Sequence, residues 1–216
     1  MHIRVTAAVA FVTGATLLLV AATPANAYWA WQPTWIVPTT ARHVYVWDPA
    51  WAADEIPVLS SGATRWSGLA GSDLNVAGVI VTNDSSVYAA ARYKVQKISA
   101  TTWPIDPATP AFTCRIIAAC FADTPSTYHS NEAIVKFNMG WSFVASWDRS
   151  AQIGDLETIL VHELGHGHGL GHPWQNPNST VTTVSENKSV MNATWSTKRV
   201  PKEDDIAGIA DLYPAN

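Results

Sequence analysis

One segment of eleven residues, 162–172, constrains the fold of this chain more than any other. It reads His-Glu-Leu-Gly-His-Gly-His-Gly-Leu-Gly-His. Because one turn of α-helix takes about 3.6 residues, His162 and His166 project from the same helical face. Their ring nitrogens can therefore reach a common metal ion, so the segment predicts a helix with a metal-binding face.

A third ligand has to come from beyond the regular helix. The next position on the same face is Leu170, which cannot bind a metal ion. Glycine adopts positive φ at little cost, so the chain can leave the helix at Gly169 and turn sharply. This turn predicts that His172 returns to the two helical histidines as the third ligand.

The predicted chemistry of this cluster is hydrolytic. Three neutral imidazoles leave the fourth position of a zinc ion open for water, as in catalytic zinc sites, and zinc lowers the pKa of that water to about 7. Glu163 follows the first histidine, and its carboxylate can take a proton from the water as a general base. A single helical histidine is usually an ordinary packed residue, but the complete set of offsets favours a metal site. His168 lies on the other side of the helix and is not expected to be a ligand.

The spacing of these residues resembles the long zinc-binding signature of the metzincin metalloproteases. Further along, Ser189-Val190-Met191 resembles the methionine turn of the matrixin branch. The resemblance implies that Met191 lies beneath the zinc ligands without binding the metal, although Met191 taken alone would be read as an ordinary core residue. It also implies that Trp195 lines the pocket for a substrate side chain.

The matrixin likeness extends to the C-terminal part of the chain. Residues 204–213 resemble the closing helix of matrixin catalytic domains, and residues 133–137 are similar to the edge strand that pairs with extended substrate. The resemblance implies an α/β (α+β), zincin-like fold, with a small twisted mixed sheet, an active-site helix and a C-terminal helix. It implies one catalytic zinc. The family's calcium ligands have no matching residues here, so calcium is not supported by the sequence.

The first 27 residues resemble a secretory signal peptide. Arg4 precedes an apolar run, and Ala25-Asn26-Ala27 offers small residues for cleavage. A membrane anchor is the other interpretation, but the run is short of the roughly 20 residues that span a bilayer. We therefore expect a secreted, extracellular protein whose catalytic domain covers residues 28–216, with residues 28–55 as an extended N-terminal arm.

Hydrophobic patterns predict the remaining elements. They comprise strands, helices and loops, in the order strand 43–47, helix 56–69, strand 76–82, turn 83–86, strand 88–99, loop 100–130, strand 133–137, helix 155–169, loop 173–190 and helix 202–213.

The chain has two cysteines, Cys114 and Cys120. In an oxidising compartment two nearby cysteines are expected to pair, which predicts a disulfide. The short loop it closes would contribute about 2 kcal/mol through loop-closure entropy.

Composition limits the possible partners. The net charge is −4 and no basic block is present, so nucleic acid is not an expected partner. We expect a monomeric, secreted zinc metalloendopeptidase acting on polypeptides, without membrane association. The alternative is a non-catalytic zinc-bearing secreted module that binds through its aromatic residues, since the chain has 11 tryptophans. The presence of Glu163 favours the enzyme.

Overall fold

The computed structural model describes residues 29–30, 41–114, 133–173, 188–192 and 196–215, with the backbone alone for residues 29–30. The predicted signal peptide, Cys120 and Trp195 lie outside the described residues.

The described residues form nine strands and four α-helices. In chain order they are β1 (Trp29–Ala30), β2 (Arg42–Trp47), α1 (Glu55–Thr64), β3 (Val76–Thr82), α2 (Ser85–Ala90), β4 (Tyr93–Ile98), β5 (Ala111–Cys114), β6 (Ala133–Asn138), β7 (Ser142–Val144), β8 (Ile153–Asp155), α3 (Leu156–His168), β9 (Leu170–Gly171) and α4 (Glu203–Leu212).

Five strands form the central sheet, in the order β3-β2-β4-β6-β5. β2 is parallel to β3 and β4, and β4 is parallel to β6. β5 runs antiparallel to β6 at the edge, with Thr113 opposite Val135. The sheet is therefore mixed, and the predicted α/β class is confirmed.

Helices α1 and α3 pack on each other and contribute to one hydrophobic core with the sheet. Val44 and Val46 of β2 lie in this core, as do Leu59 of α1 and Leu160 of α3. Burying each such aliphatic side chain stabilises the fold by about 1.5–3 kcal/mol. This packing fixes α3, which carries two of the predicted ligands, on the sheet.

The ends of α3 agree with the prediction for residues 155–169. Asp155 is the N-cap, and its Oδ1 accepts a hydrogen bond from the Thr158 backbone N–H at 2.8 Å. Gly169 ends the helix with φ 110°, and its N–H bonds to the carbonyl oxygens of Gly165 and His166. This left-handed conformation is the one that favours glycine.

The predictions of a turn at residues 83–86 and a strand at residues 88–99 are wrong where the two segments meet. Residues 85–90 form α2, and β4 begins only at Tyr93. Asp84 is the reason, because its carboxylate caps the N–H groups of Ser86 and Val87 and so starts a helix. Similarly, the helix predicted for residues 56–69 ends at Thr64.

The predicted loop at residues 100–130 contains β5, so that prediction is wrong over residues 111–114.

The expectation that residues 133–137 form the edge strand of the sheet is also corrected. Residues 133–138 form β6, which lies between β4 and β5, and every one of its residues is buried. A strand buried on both faces belongs inside a sheet, whereas β5 forms the edge.

Two parts of the predicted arm at residues 28–55 are strands. β1 pairs antiparallel with β9, the short strand that follows Gly169, and β2 lies inside the central sheet. Among the described residues, none of the helices combines the length and apolarity needed to cross a bilayer.

Candidate metal centre

The three predicted histidine ligands converge on one point. One nitrogen from each of His162, His166 and His172 lies within 4.8 Å of the other two. The Nε2 atoms of His162 and His172 are 3.2 Å apart. The helix supplies the first two side chains, and the turn at Gly169 brings the third to them.

Backbone carbonyls orient the two helical imidazoles. His162 Nδ1 lies 2.8 Å from the carbonyl oxygen of Val190, and His166 Nδ1 lies 2.8 Å from that of Leu170. A carbonyl oxygen only accepts, so each Nδ1 donates its proton. Each Nε2 therefore carries the lone pair, and it is the atom available to a metal ion.

Burial favours the neutral form of the His162 and His172 imidazoles. It lowers the pKa of His162 well below its ordinary value, with further lowering by the neighbouring His166 and His172. It also lowers the pKa of His172 to about 4. Neutral imidazole is the form that binds metal, so the site needs no proton release from these two residues near neutral pH.

The spacing of the His162 and His172 nitrogens fits zinc. Two nitrogens at 2.0–2.1 Å from a tetrahedral zinc ion lie about 3.3 Å apart, close to the 3.2 Å observed between His162 and His172. Within the described residues, the cluster includes neither a carboxylate nor a thiol. His168 is not in it and instead packs against the rings of Trp66 and Tyr93, at centroid distances of 5.5 and 5.4 Å.

Glu163, the predicted general base, is only 3% exposed. Burial raises the pKa of its carboxyl group to about 7, although a hydrogen bond from Thr113 acts in the opposite direction. The Thr113 hydroxyl lies 2.7 Å from Glu163 Oε2 and 2.7 Å from the Glu163 carbonyl oxygen. A carboxyl group of this kind can both take up and release a proton near neutral pH.

Met191 lies against the underside of α3. A Cβ at Gly165 would overlap the sulfur of Met191 and would approach Trp66 Cζ2 to 2.9 Å. Only a residue without a side chain allows this approach. Trp66 also donates from Nε1 to the carbonyl oxygen of Val161 at 3.1 Å, which ties it to the same helix.

Asp205 of α4 holds the turn that contains Met191. Its carboxylate accepts hydrogen bonds at 2.7 Å from the Ser189 hydroxyl and at 2.7 Å from the Val190 N–H. It also accepts the Lys202 N–H at 2.8 Å. The carbonyl of Val190 faces His162, so Asp205 supports a metal ligand through one peptide unit.

Sequence reasoning gave no role to Gly165, Thr113 or Asp205. Thr113 lies in the segment that was predicted as a loop, and Asp205 lies in the predicted helix 202–213 with no contact assigned to it. These three contacts join separate elements of the fold. The sequence positions of Gly165, Thr113 and Asp205 relative to the histidines and Met191 therefore do not reveal them. Cys114 lies at the end of β5, and its pairing with Cys120 stays a prediction.

The C-terminal part of the chain is similar in sequence to a known protein family. Residues 118–214 match the sequence profile of the peptidase family described as Matrixin. The chain is 37% identical over 62 residues to Metalloendoproteinase 2-MMP of Arabidopsis thaliana, covering 29% of this chain and 14% of the relative. It is 29% identical over 76 residues to Metalloendoproteinase 4-MMP of the same plant, covering 35% and 20%. The matches thus span a fifth or less of either relative.

Two solved structures of myroilysin are also similar. One has a TM-score of 0.44 and 14% identity, covering 86% of this chain and 96% of that chain. The other has a TM-score of 0.43 and 13% identity, covering 81% and 84%.

Proposed function

We propose that this chain is a secreted, zinc-dependent endopeptidase with a matrixin-like catalytic domain, since residues 118–214 match the Matrixin profile. The observation that carries the proposal is the convergence of three imidazoles next to a buried glutamate. His162, His166 and His172 are the proposed ligands, and Glu163 is the proposed general base.

Zinc held by these imidazoles would supply an acidified water and a polarised substrate carbonyl. The chain's own residues have separate tasks. The carbonyl oxygens of Val190 and Leu170 keep the Nε2 atoms of His162 and His166 aimed at one point. Glu163 takes a proton on its carboxylate from the attacking water and returns it to the leaving amine.

The edge strand β5 is the proposed binding surface for the polypeptide. Among the described strands it pairs with β6 alone, and its Thr113 contacts Glu163. An extended peptide can add to such an edge through main-chain hydrogen bonds. This arrangement would lay the scissile bond beside the base, which supports an endopeptidase more than a binding module.

Secretion is proposed from the sequence of residues 1–27, which has the features of a signal peptide. The test is to detect the chain in the medium of an expressing cell and to determine its N-terminus by mass spectrometry. A mature chain that begins at Tyr28 supports the proposal, and an intact Met1 in a cell-associated protein contradicts it.

The activity is tested with casein and with a fluorogenic peptide library, and zinc content is measured on the same samples. We compare the wild type with Glu163→Ala and, as a control, with Glu203→Gln, which changes an exposed carboxylate at the start of α4. We expect Glu163→Ala to keep zinc but lose at least about a hundredfold of kcat/KM. Glu203→Gln should retain full activity. Treatment of the wild type with 1,10-phenanthroline should abolish its activity.

A wild type that binds zinc and cleaves none of these substrates would contradict the endopeptidase proposal. The non-catalytic binding module would then become the better interpretation. A wild type that binds no zinc would contradict both.

A further inference from the structure

The hydroxyl of Thr113 connects the edge strand of the sheet to Glu163. Its Oγ1 lies 2.7 Å from Glu163 Oε2 and 2.7 Å from the Glu163 carbonyl oxygen. A hydroxyl has a single hydrogen, so it donates to one of these atoms at a time. Within the described part of the chain, the Glu163 carboxylate accepts this hydrogen bond on Oε2.

The position of this hydroxyl is fixed from two directions. Thr113 stands opposite Val135 in the antiparallel β5–β6 ladder, so its backbone is held by the sheet. A β-branched side chain has few χ1 rotamers, so its hydroxyl is held as well. Glu163 has three side-chain torsions and would lose orientation without a partner. The carboxylate thus takes its position from β5 as well as from α3.

We infer that Thr113 is a positioning residue for Glu163, holding Oε2 so that Oε1 faces the reacting water. The inference rests on the proposed function, since it assigns a part to the same site. It adds that the strand proposed to bind the polypeptide also orients the base. Substrate and base therefore share one rigid frame, and proximity of this kind is a large part of catalytic rate.

Burial makes this contact strong. Glu163 is 3% exposed, and a hydrogen bond to a charged group in a low-dielectric interior is stronger than one in water. Removal of the donor would leave Oε2 buried without this partner, and the carboxylate would rotate to find another. The loss should therefore appear in the chemical step and not in substrate binding.

The kinetic test compares Thr113→Val, which keeps the β-branched shape but lacks the hydroxyl, with Thr113→Ser, which keeps the hydroxyl. Thr82→Val is the control, since Thr82 is a strand threonine at the opposite edge whose Oγ1 accepts the Asp84 N–H. We expect Thr113→Val to lower kcat about tenfold or more, with KM within about twofold and zinc content unchanged. Thr113→Ser and Thr82→Val should stay close to the wild type.

The second readout needs no activity. In zinc-free protein, the melting temperature is measured for the wild type, Thr113→Val, Glu163→Ala and the double variant. We expect Thr113→Val to lower the melting temperature less in the Glu163→Ala background than in the wild type, because the carboxylate partner is already gone. Equal losses in the two backgrounds would overturn the inference.

The two readouts separate the inference from the proposed function. An inactive wild type with coupled melting temperatures contradicts the endopeptidase but supports the Thr113–Glu163 contact. An active wild type whose kcat survives Thr113→Val overturns the inference and leaves the endopeptidase intact. A rise in KM with unchanged kcat would mean that Thr113 only shapes the substrate strand, which also overturns it.

Discussion

Gly165 is the residue at which the packing under the histidine cluster is tightest. Its backbone lies where the Met191 sulfur and the Trp66 ring approach α3. A methyl group at this position would have to displace both side chains, and neither is at the surface, since both are at most 1% exposed. The glycine between the two helical histidines is therefore required by packing and not by backbone conformation.

We predict that Gly165→Ala lowers the free energy of unfolding by about 1–3 kcal/mol through overpacking, and that it weakens zinc binding. Gly167→Ala is the control in the same helix, because its new Cβ would lie 3.4 Å from Ala133 Cβ, an ordinary contact. The control should gain up to about 1 kcal/mol from helix propensity. Urea denaturation and chelator competition measure the two quantities, and equal effects of both substitutions would contradict the prediction.

Asp205 is the second residue whose role comes from contacts across the fold. Burial raises the pKa of its carboxyl group, while hydrogen bonds from Ser189 and the Val190 N–H act in the opposite direction. All of its hydrogen-bond partners are donors. An asparagine at this position would turn an NH₂ group towards one of them.

We predict that Asp205→Asn destabilises the protein by about 2–3 kcal/mol, because it breaks a buried hydrogen bond to a charged group. Zinc affinity should fall as well, since the Val190 carbonyl orients His162. Asp211→Asn, at an exposed position of α4, is the control and should be neutral. If Asp205→Asn matches this control in both thermal melting and zinc titration, the supporting role is wrong.

At the scale of elements, α3 is held at its first turn by charge. Asp155 caps the helix, and Arg199 Nη2 lies 2.6 Å from its Oδ2. Burial of Asp155 acts to raise its pKa, but the hydrogen bonds from Arg199 and Thr158 outweigh it and lower the pKa below the ordinary value. The Asp155 side chain is 1% exposed and that of Arg199 37%, so solvent screens part of this pair.

A lowered folded-state pKa means that the unfolded chain binds more protons, so stability rises with pH in that range. The contribution of Asp155 should be present above its ordinary pKa of 3.8 and be lost as the pH falls through the lower folded value. We predict that the melting temperature of the wild type exceeds that of Asp155→Asn at pH 6 and that the difference narrows towards pH 3. Asparagine keeps the helix cap but does not titrate. A difference that is constant with pH would contradict the prediction.

At the scale of the whole molecule, the histidine cluster lies in one short stretch of chain but is supported by segments that are distant in sequence. Two ligands lie on α3, the third follows β9, and the turn at residues 188–192 supports the first through Val190. β9 is paired with β1, and α4 holds the turn through Asp205. A metal ion that binds this arrangement and not the unfolded chain stabilises all of them together.

We predict that removal of zinc with a chelator lowers the melting temperature, with a loss of about 2.7 kcal/mol when free zinc had been at a hundred times its dissociation constant. Glu163→Ala should show the same zinc-dependent shift as the wild type, whereas His172→Ala should show a smaller one. Differential scanning calorimetry with and without zinc measures the shift. Equal melting temperatures with and without zinc in the wild type would contradict a structural effect of the metal.

The sequence predicted correctly those elements whose ends are marked by capping residues or by a clear hydrophobic pattern. The bounds of α3 followed from Asp155 and Gly169, whose capping roles depend on a few neighbouring residues. β3 was predicted from Val76 to Thr82, as found. The prediction failed at Asp84, whose side chain caps a short helix that the strand pattern did not indicate. It also failed for β6, because the sequence did not show that this strand is buried inside the sheet and not at its edge.

The sequence by itself determined the residue set of the candidate metal centre, because the offsets from His162 to His172 express helix periodicity and the freedom of one glycine. Only the tertiary structure decided which strand forms the edge beside that centre and which groups hold its members. Thr113 contacts a residue 50 positions away and Gly165 one 26 positions away, while Asp205 holds a turn 15 positions away. Contacts of this kind depend on packing between elements, and no local pattern of residues encodes the distance between two packed surfaces.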